Sequence, residues 1–126
     1  MKTITIDGVE YNLTPIKKTK KKQEPIILEQ HLKFEVYPED LGKHNWESAK
    51  KVCENLGDGW RLPTKEELHL MWLNRDNIGG FTNSSYWSSS ERTTNLTWYQ
   101  IFRNGSQDYI FKYYTYYVRP VRDVTI

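Results

Sequence analysis

Hydrophobic and polar positions alternate along the first fourteen residues. Residues 3–14 read TITIDGVEYNLT, so that two stretches with β-branched residues flank Asp7-Gly8. An Asp-Gly pair between alternating segments is a strong signal for a two-residue hairpin turn. Because an isolated hairpin is only marginally stable in water, we expect this one to pack against its own domain or another chain.

Alternation returns at Leu32, Phe34 and Val36, which predicts a further strand. A helical period follows, with Asn45 placed to cap its first turn and Gly57 and Gly59 placed to end it. The apolar positions that share one face of this helix are Trp46, Ala49, Cys53 and Leu56.

A second helix is predicted to begin after Pro63, where Thr64 and Glu67 have the spacing of a capping box. Its buried face is formed by Leu68, Met71 and Trp72. Beyond residues 79–80 the pattern indicates short strands near residues 86–87, 98–102, 109–111 and 116–121, with a turn at residues 104–105. This order predicts an α+β domain with two helices beside a small antiparallel sheet.

The 126 residues have room for one domain and a modest extension. We assign residues 1–30 to an N-terminal hairpin with a lysine-rich linker and residues 31–126 to the domain. The lysines at 17, 18 and 20–22 suit a solvated linker; phosphate or membrane-surface contact is the alternative, which the lack of interleaved aromatic residues disfavours. Nine Tyr and five Trp can fill a core despite the mean hydropathy of −0.78.

Charge and cysteine content narrow the functional classes. A net charge of +2 gives no reason to expect a nucleic-acid partner, and no apolar run is long enough for membrane insertion. Cys53 is the only cysteine, so neither an intrachain disulfide nor a multi-cysteine zinc site can form. We see no signal peptide after Met1 and expect synthesis in the cytoplasm, with a non-classical route to a virion or cell surface.

Catalytic constellations are not evident in the sequence. His31, His44 and His69 are scattered, and the Ser88–Ser90 run before Glu91 lacks a nucleophile-elbow motif. The Asp-Gly pairs do not extend into calcium loops. We therefore expect no catalytic residue, no cofactor and no metal, and interpret Cys53 as a buried structural thiol.

Residues 46–68, WESAKKVCENLGDGWRLPTKEEL, form a distinctive block. Further blocks follow in order: IGGF at 78–81, YWSSSE at 86–91, then Trp98, Phe102 and Gly105, and VRPVR at 118–122. Together they resemble the bacterial and phage family that includes the C-terminal domain of the Legionella collagen-like adhesin and the Fibrobacter major paralogous domain. The resemblance covers roughly residues 33–123 and implies a C-type-lectin-like fold related to the formylglycine-generating enzymes.

The departures from those relatives bear on function. The cysteines on which formylglycine-generating enzymes depend have no counterpart, and the sugar-calcium motif of calcium lectins is absent. Neither activity therefore carries over. Of the motif residues, we expect Trp60, Leu62 and Trp87 in the core. We expect Arg61, Arg119 and Arg122 to anchor buried carboxylates or carbonyls, with Glu91 as a candidate partner.

Some proteins that this chain resembles are variable proteins of diversity-generating retroelements, in which adenine-directed mutation scatters Asn codons into Tyr, Ser, Thr, Asp and Ile. Residues 93–117 are rich in that set. Strand geometry predicts Trp98 and Phe102 on a core face and Tyr99, Ile101 and Arg103 on a display face. An ordinary tyrosine-rich surface without diversification is the alternative.

These observations predict a non-enzymatic ligand-binding protein for adhesion or receptor recognition, with a protein or glycan ligand on a cell surface. The alternative is a phage or bacterial assembly protein that uses its tyrosine-rich face for subunit contacts. The N-terminal hairpin could join a homo-oligomer or a virion partner. The predicted ligand-binding residues are Thr94, Asn95, Tyr99, Ile101, Arg103, Asn104, Ser106, Asp108, Ile110 and Tyr113.

Overall fold

The computed structural model describes residues 34–124 in full, together with the backbone of three earlier strands at residues 2–6, 9–15 and 26–28. The turn residues Asp7-Gly8, the lysine run, His31 and Leu32 lie outside the described residues.

Among the described residues, ten strands form two five-stranded sheets. The first sheet has the order β1-β2-β3-β4-β10 and the second the order β5-β9-β6-β7-β8. The strands are β1 Lys2–Ile6, β2 Val9–Pro15, β3 Ile26–Leu28, β4 Phe34–Val36, β5 Lys43–His44, β6 Ser85–Glu91, β7 Leu96–Ile101, β8 Gln107–Phe111, β9 Tyr116–Tyr117 and β10 Val121–Asp123.

The predicted N-terminal hairpin is confirmed by the pairing of β1 with β2, in which Ile6 lies opposite Val9. That register leaves only two residues for the connection, as the sequence pattern requires. The next strand, β3, pairs with both β2 and β4, with Ile26 opposite Val36. One sheet therefore contains strands from both sides of residue 30.

The second sheet is mixed, because β6 and β9 run parallel where Tyr86 pairs with Tyr117, whereas its other pairs are antiparallel. Between residues 34 and 124 three helices accompany the sheets: α1 Trp46–Glu54, α2 Lys65–Leu73 and the one-turn α3 Arg75–Ile78. The predicted α+β class is confirmed. The structure differs from the expected arrangement in having two sheets, one parallel pair and the short α3.

Both long helices begin at the predicted caps. The Asn45 side chain accepts a hydrogen bond from the Ser48 amide at 2.9 Å. At α2 the Thr64 hydroxyl accepts from the Glu67 amide at 3.1 Å, while the Glu67 carboxylate accepts from the Thr64 amide at 2.9 Å. These reciprocal bonds satisfy amides that the first turn leaves without partners.

Two hydrophobic clusters form the core, and alternation along β6 directs one aromatic residue into each. Tyr86 belongs to the cluster beneath α2, and Trp87 to the cluster beside α1. Trp60, Leu62 and Trp87 are buried as predicted. Cys53 is fully buried, and burial raises the pKa of its thiol to about 12, with Glu54 contributing. The prediction of a structural thiol is confirmed in its burial.

The three motif arginines bind carboxylates as predicted, but not that of Glu91. Arg61 donates two hydrogen bonds to Glu67, at 2.8 and 2.9 Å. The other two pairs are Arg119 with Asp40 and Arg122 with Glu35, both at 2.9 Å. The prediction for Glu91 was wrong: its carboxylate is exposed and pairs with Lys112, the residue that follows β8.

Candidate ligand-binding face

None of the ten predicted ligand-binding residues is buried. Seven are exposed: Thr94, Asn95, Arg103, Asn104, Ser106, Asp108 and Tyr113. Three are half-buried: Tyr99, Ile101 and Ile110. All ten therefore retain some accessible surface for a ligand.

The structure does not bring the ten residues into one patch. Thr94 and Asn95 lie in the turn between β6 and β7, whereas Arg103 and Asn104 lie in the turn after β7. The six residues of β7 separate these turns by roughly 20 Å, at about 3.4 Å per residue. In the second turn the Asn104 side chain accepts from the Ser106 amide at 3.0 Å, which ties Ser106 to that end.

The central residues share one side of the β7–β8 ladder. Tyr99 is paired with Asp108, and Ile110 is paired with Thr97, two positions before Tyr99. Because side chains alternate along strands, Tyr99, Asp108 and Ile110 project from the same face. Tyr99 and Ile110 pack in part against the cluster beside α1. The expected display face is therefore partly packed, because α1 covers its inner half.

Three aromatic residues that the site prediction did not include extend this central group: Phe111, Tyr114 and Tyr116. Tyr116 contacts Tyr99 with ring centroids 4.7 Å apart, and also contacts buried Trp87 at 4.9 Å. Tyr113 stacks between Phe111, at 5.4 Å, and Tyr114, at 4.9 Å. Phe111 is paired with Leu96 and therefore leaves β8 on the side opposite Tyr99, so it joins the other rings through its stack with Tyr113. We name the surface formed by Tyr99, Phe111, Tyr113, Tyr114 and Tyr116 the tyrosine face.

The tyrosine face is accessible at its outer end and supported at its inner end. The exposed fractions are 69% for Tyr113, 46% for Phe111 and 44% for Tyr114. At the inner end, Trp87 is fully buried and donates from its indole nitrogen to the His44 carbonyl at 2.7 Å. The face therefore combines exposed rings with a fixed base.

The hydroxyl groups of this face interact with one another. Desolvation, followed by Tyr99, Tyr114 and Asp108, raises the pKa of Tyr116 to about 12. Desolvation and the neighbouring Tyr114 likewise raise the pKa of Tyr113. Both tyrosines stay neutral at physiological pH, so the face offers ring surfaces and hydroxyl donors, with the Asp108 carboxylate close to Tyr99 and Tyr116.

An open cleft joins the outer end of the tyrosine face to the β6–β7 turn. Its volume is about 540 Å³, and it is lined by Asn45, Glu47, Asn95, Phe111, Lys112 and Tyr113. The Asn95 carbonyl accepts from the Lys112 amide at 3.2 Å, which fixes the two walls together. The cleft brings predicted residues Asn95 and Tyr113 together.

The opposite side of the β7–β8 ladder is occupied by intramolecular contacts. Trp98 packs edge-on against Tyr109, with centroids 5.2 Å apart. The Lys65 ammonium lies over Trp98 at 4.1 Å, and the Arg92 guanidinium lies over Tyr109 at 4.3 Å. Phe102 is buried on this side, as predicted for the core face. Apart from Phe111 at the end of β8, this side therefore presents less free aromatic surface.

A second cavity, of about 350 Å³, lies between α3 and the loop after it and includes none of the predicted site residues. Its lining is Arg75, Asp76, Gly79, Gly80, Phe81, Thr82, Asn83 and Phe102.

Within the described ranges no cluster of His, Cys, Asp and Glu has the make-up of a metal site. In those same ranges no helix has both the length and the apolar character needed to cross a bilayer.

Comparison with protein-family models shows to which family this chain belongs. The family model described as the Lcl C-terminal domain matches residues 18–122. The chain belongs to the Lcl C-terminal domain family. The match confirms the resemblance seen in the sequence blocks and extends further towards the N-terminus than those blocks. No protein of curated function matches the chain significantly.

Membership in the Lcl C-terminal domain family indicates an adhesin-like ligand-binding domain. In this Lcl-type domain, the largest accessible aromatic surface among the described residues is the outer part of the tyrosine face. The signal that could have identified it was the run Tyr113, Tyr114, Tyr116 and Tyr117, of which the site prediction kept only Tyr113.

Proposed function

We propose that this Lcl-type domain is a non-enzymatic recognition module that binds a macromolecular ligand on a cell surface through the tyrosine face. The observation that carries the proposal is the stack of Phe111, Tyr113 and Tyr114, exposed together at one end of a packed sheet. Contiguous exposed aromatic surface is costly in water and usually marks an interaction site.

The residue types suit recognition. Tyrosine provides a large amphipathic contact area and loses little side-chain entropy on binding, and for this reason it is enriched in antibody paratopes. Tyr99 and Tyr116 rest on buried Trp87, so the inner rings are already ordered before a ligand arrives. Preorganisation of this kind reduces the entropic cost of association.

Several side chains of types used in catalysis are engaged in structural contacts, which supports a non-enzymatic role. Both ring nitrogens of His44 have partners, Ser48 Oγ at 3.0 Å and the Leu41 carbonyl at 2.8 Å. The buried Ser88 hydroxyl donates to the Trp98 carbonyl at 2.7 Å. The high pKa of Cys53 keeps its thiol protonated and therefore poorly nucleophilic.

The finer form of the proposal makes the chain a variable protein of a diversity-generating retroelement, of phage or bacterial origin. The composition of residues 93–117 and the accessibility of all ten predicted residues support it. The test is the encoding DNA: a neighbouring reverse transcriptase and a near-copy of the segment, differing at adenines, are expected. If neither the reverse transcriptase nor the near-copy is found, the chain is not a diversified protein but a domain of fixed specificity.

Subunit assembly is the second candidate function, because the same exposed rings could be buried by a sister subunit. Obligate oligomer interfaces are more apolar than transient ones, and the three exposed rings would suit such burial. Sedimentation of the purified chain separates the two functions. Recognition predicts that the tyrosine face stays free in solution, whereas assembly predicts a stable oligomer that dissociates in the Tyr113→Ser/Tyr114→Ser variant.

The recognition proposal is tested by displaying the domain as a streptavidin-bound tetramer on arrays of extracellular proteins and of glycans. Multivalency makes weak individual contacts detectable. The Tyr113→Ser/Tyr114→Ser variant should lose the wild-type signal, whereas Tyr109→Ser, whose ring packs against Trp98 and carries Arg92, should keep it. Identical signals from all three proteins would overturn the proposal.

A further inference from the structure

Cations cover many of the aromatic rings in the described domain, including Trp46 of the cluster beside α1. Between residues 34 and 124 eight Lys or Arg side chains lie over seven rings, at 3.9 to 5.5 Å from the ring centroids. The covered rings are Trp46, Trp60, Trp72, Phe81, Trp98, Tyr109 and Tyr117. Trp46 carries two cations, Lys50 and Lys112.

The tyrosine face is the exception. Between residues 34 and 124, no cation lies over any of its five rings, and the other uncovered ring outside the cores, Tyr37, packs edge-on against Trp60 at 5.0 Å. Lys112 lies between Phe111 and Tyr113 in sequence, yet its ammonium is directed away, to Glu91 and the Trp46 ring. The most accessible rings are therefore those that carry no cation from residues 34–124.

A carboxylate, that of Asp108, lies close to the inner end of this face. Asp108 is exposed, is paired with Tyr99 across the β7–β8 ladder, and acts electrostatically on Tyr116. The face of an aromatic ring carries negative electrostatic potential and attracts a cation within about 6 Å. Uncovered rings beside a carboxylate are thus complementary to a positively charged group.

We propose that the tyrosine face receives an arginine side chain presented by a protein ligand. A planar guanidinium can stack on the Tyr113 and Tyr114 rings and hydrogen-bond to tyrosine hydroxyls, and the Asp108 carboxylate adds attraction at the Tyr99–Tyr116 end of the face. This inference rests on the proposed recognition function and names the chemical group that the ligand supplies.

The probe is the peptide acetyl-Gly-Arg-Gly-amide, titrated into isotope-labelled protein and followed by NMR. The matched probe contains citrulline, which keeps the planar shape and loses the charge. We expect the arginine peptide to shift the side-chain and amide signals of Tyr99, Tyr113, Tyr114 and Tyr116. Binding should weaken with added salt, because the attraction involves exposed charges.

Two pairs of variants locate the effect. Tyr113→Leu removes a quadrupole-bearing ring from the face, while Tyr109→Leu removes an exposed ring that already carries Arg92. Asp108→Asn removes the carboxylate, while Asp76→Asn removes an exposed carboxylate beside the other cavity. Tyr113→Leu and Asp108→Asn should each weaken the arginine peptide about two- to five-fold, and the two controls should not.

Equal binding of the arginine and citrulline peptides would overturn the inference, as would equal losses in Tyr113→Leu and Tyr109→Leu. Saturation of the face by an uncharged saccharide, without response to arginine, would also overturn it. Self-association that is lost when Lys17, Lys18 and Lys20–Lys22 are replaced by Gln would identify a second copy as the occupant and likewise overturn it. If array binding needs the tyrosine face but arginine does not compete, the inference fails and the proposed function stands.

Discussion

Tyr99 and Tyr116 touch across an intervening strand. Tyr99 lies on β7 and Tyr116 on β9, with β6 between them in the sheet, and their ring centroids are 4.7 Å apart. The contact is possible because both rings pack on the same side of the sheet as Trp87, the β6 residue that pairs with Tyr99. Residues from three strands thus form the base of the tyrosine face.

This arrangement predicts that stability and binding depend on different rings. Trp87→Ala removes a fully buried indole and should lower the free energy of unfolding by about 3–5 kcal/mol. Tyr113→Ala removes a mostly exposed ring and should change it by less than about 0.5 kcal/mol. Urea denaturation of both variants checks the difference, and a large loss in Tyr113→Ala would contradict the assignment of that ring to the surface.

Gly105 permits the close approach of the β7–β8 turn to α2. Its φ is +82°, and an added Cβ would lie 2.4 Å from the Trp72 ring. Gly57, with φ +72°, has nothing within 4 Å of its Cβ position and provides the matched control. Gly57→Ala should cost about 1–2 kcal/mol from backbone strain. Gly105→Ala should cost about 1–3 kcal/mol more from overpacking, and equal costs in thermal denaturation would refute the contact.

The Arg119–Asp40 pair should be far more sensitive than a surface pair. The Arg119 side chain is fully buried, and Asp40 also accepts a hydrogen bond from the Tyr86 hydroxyl at 2.6 Å. Asp40→Asn should therefore lower the free energy of unfolding by about 3–5 kcal/mol, because it leaves a buried guanidinium without its counter-charge. Glu47→Gln, which breaks the exposed pair with Lys50, should cost less than about 1 kcal/mol. Comparable urea midpoints for the two variants would count against this account.

Stability should fall at high pH. Burial raises the pKa of the Cys53 thiol to about 12, and the pKa of Tyr116 is also raised to about 12. Unfolded chains lose these protons at a lower pH, so the native state binds more protons and becomes less stable as the pH rises from about 9 to 12. Urea midpoints at pH 7, 9 and 10.5 check this, and Cys53→Ala should flatten the decline. A stability that is constant or rises above pH 9 would contradict it.

Local signals in the sequence predicted local structure well. The Asn45 cap and the Thr64–Glu67 capping box depend on residues three positions apart, and both are present. The β1–β2 hairpin follows equally from a short pattern. Such features depend on local geometry that the sequence specifies directly.

The long-range relationships were harder to predict. Arg119 and Asp40 are 79 residues apart in sequence, and nothing near either residue identifies the other. The tyrosine face depends on β9 pairing in parallel with β6, which places Tyr116 beside Tyr99. The Glu91–Lys112 pair likewise depends on how β6, β7 and β8 pair with one another. The local sequence around Glu91 does not identify Lys112, and for this reason the prediction of an arginine partner was wrong. The composition thus indicated the segment of the candidate site, but not the grouping of its side chains.

The central claim is that the tyrosine face binds the ligand, and equilibrium binding of an array-selected ligand tests it most directly. The ligand is titrated against the wild type, Tyr113→Ser/Tyr114→Ser and Tyr109→Ser, each confirmed as folded. The account predicts an affinity loss of about tenfold or more for the double variant, as for residues central to an interface, and less than about twofold for Tyr109→Ser. Equal affinities for all three proteins would contradict it.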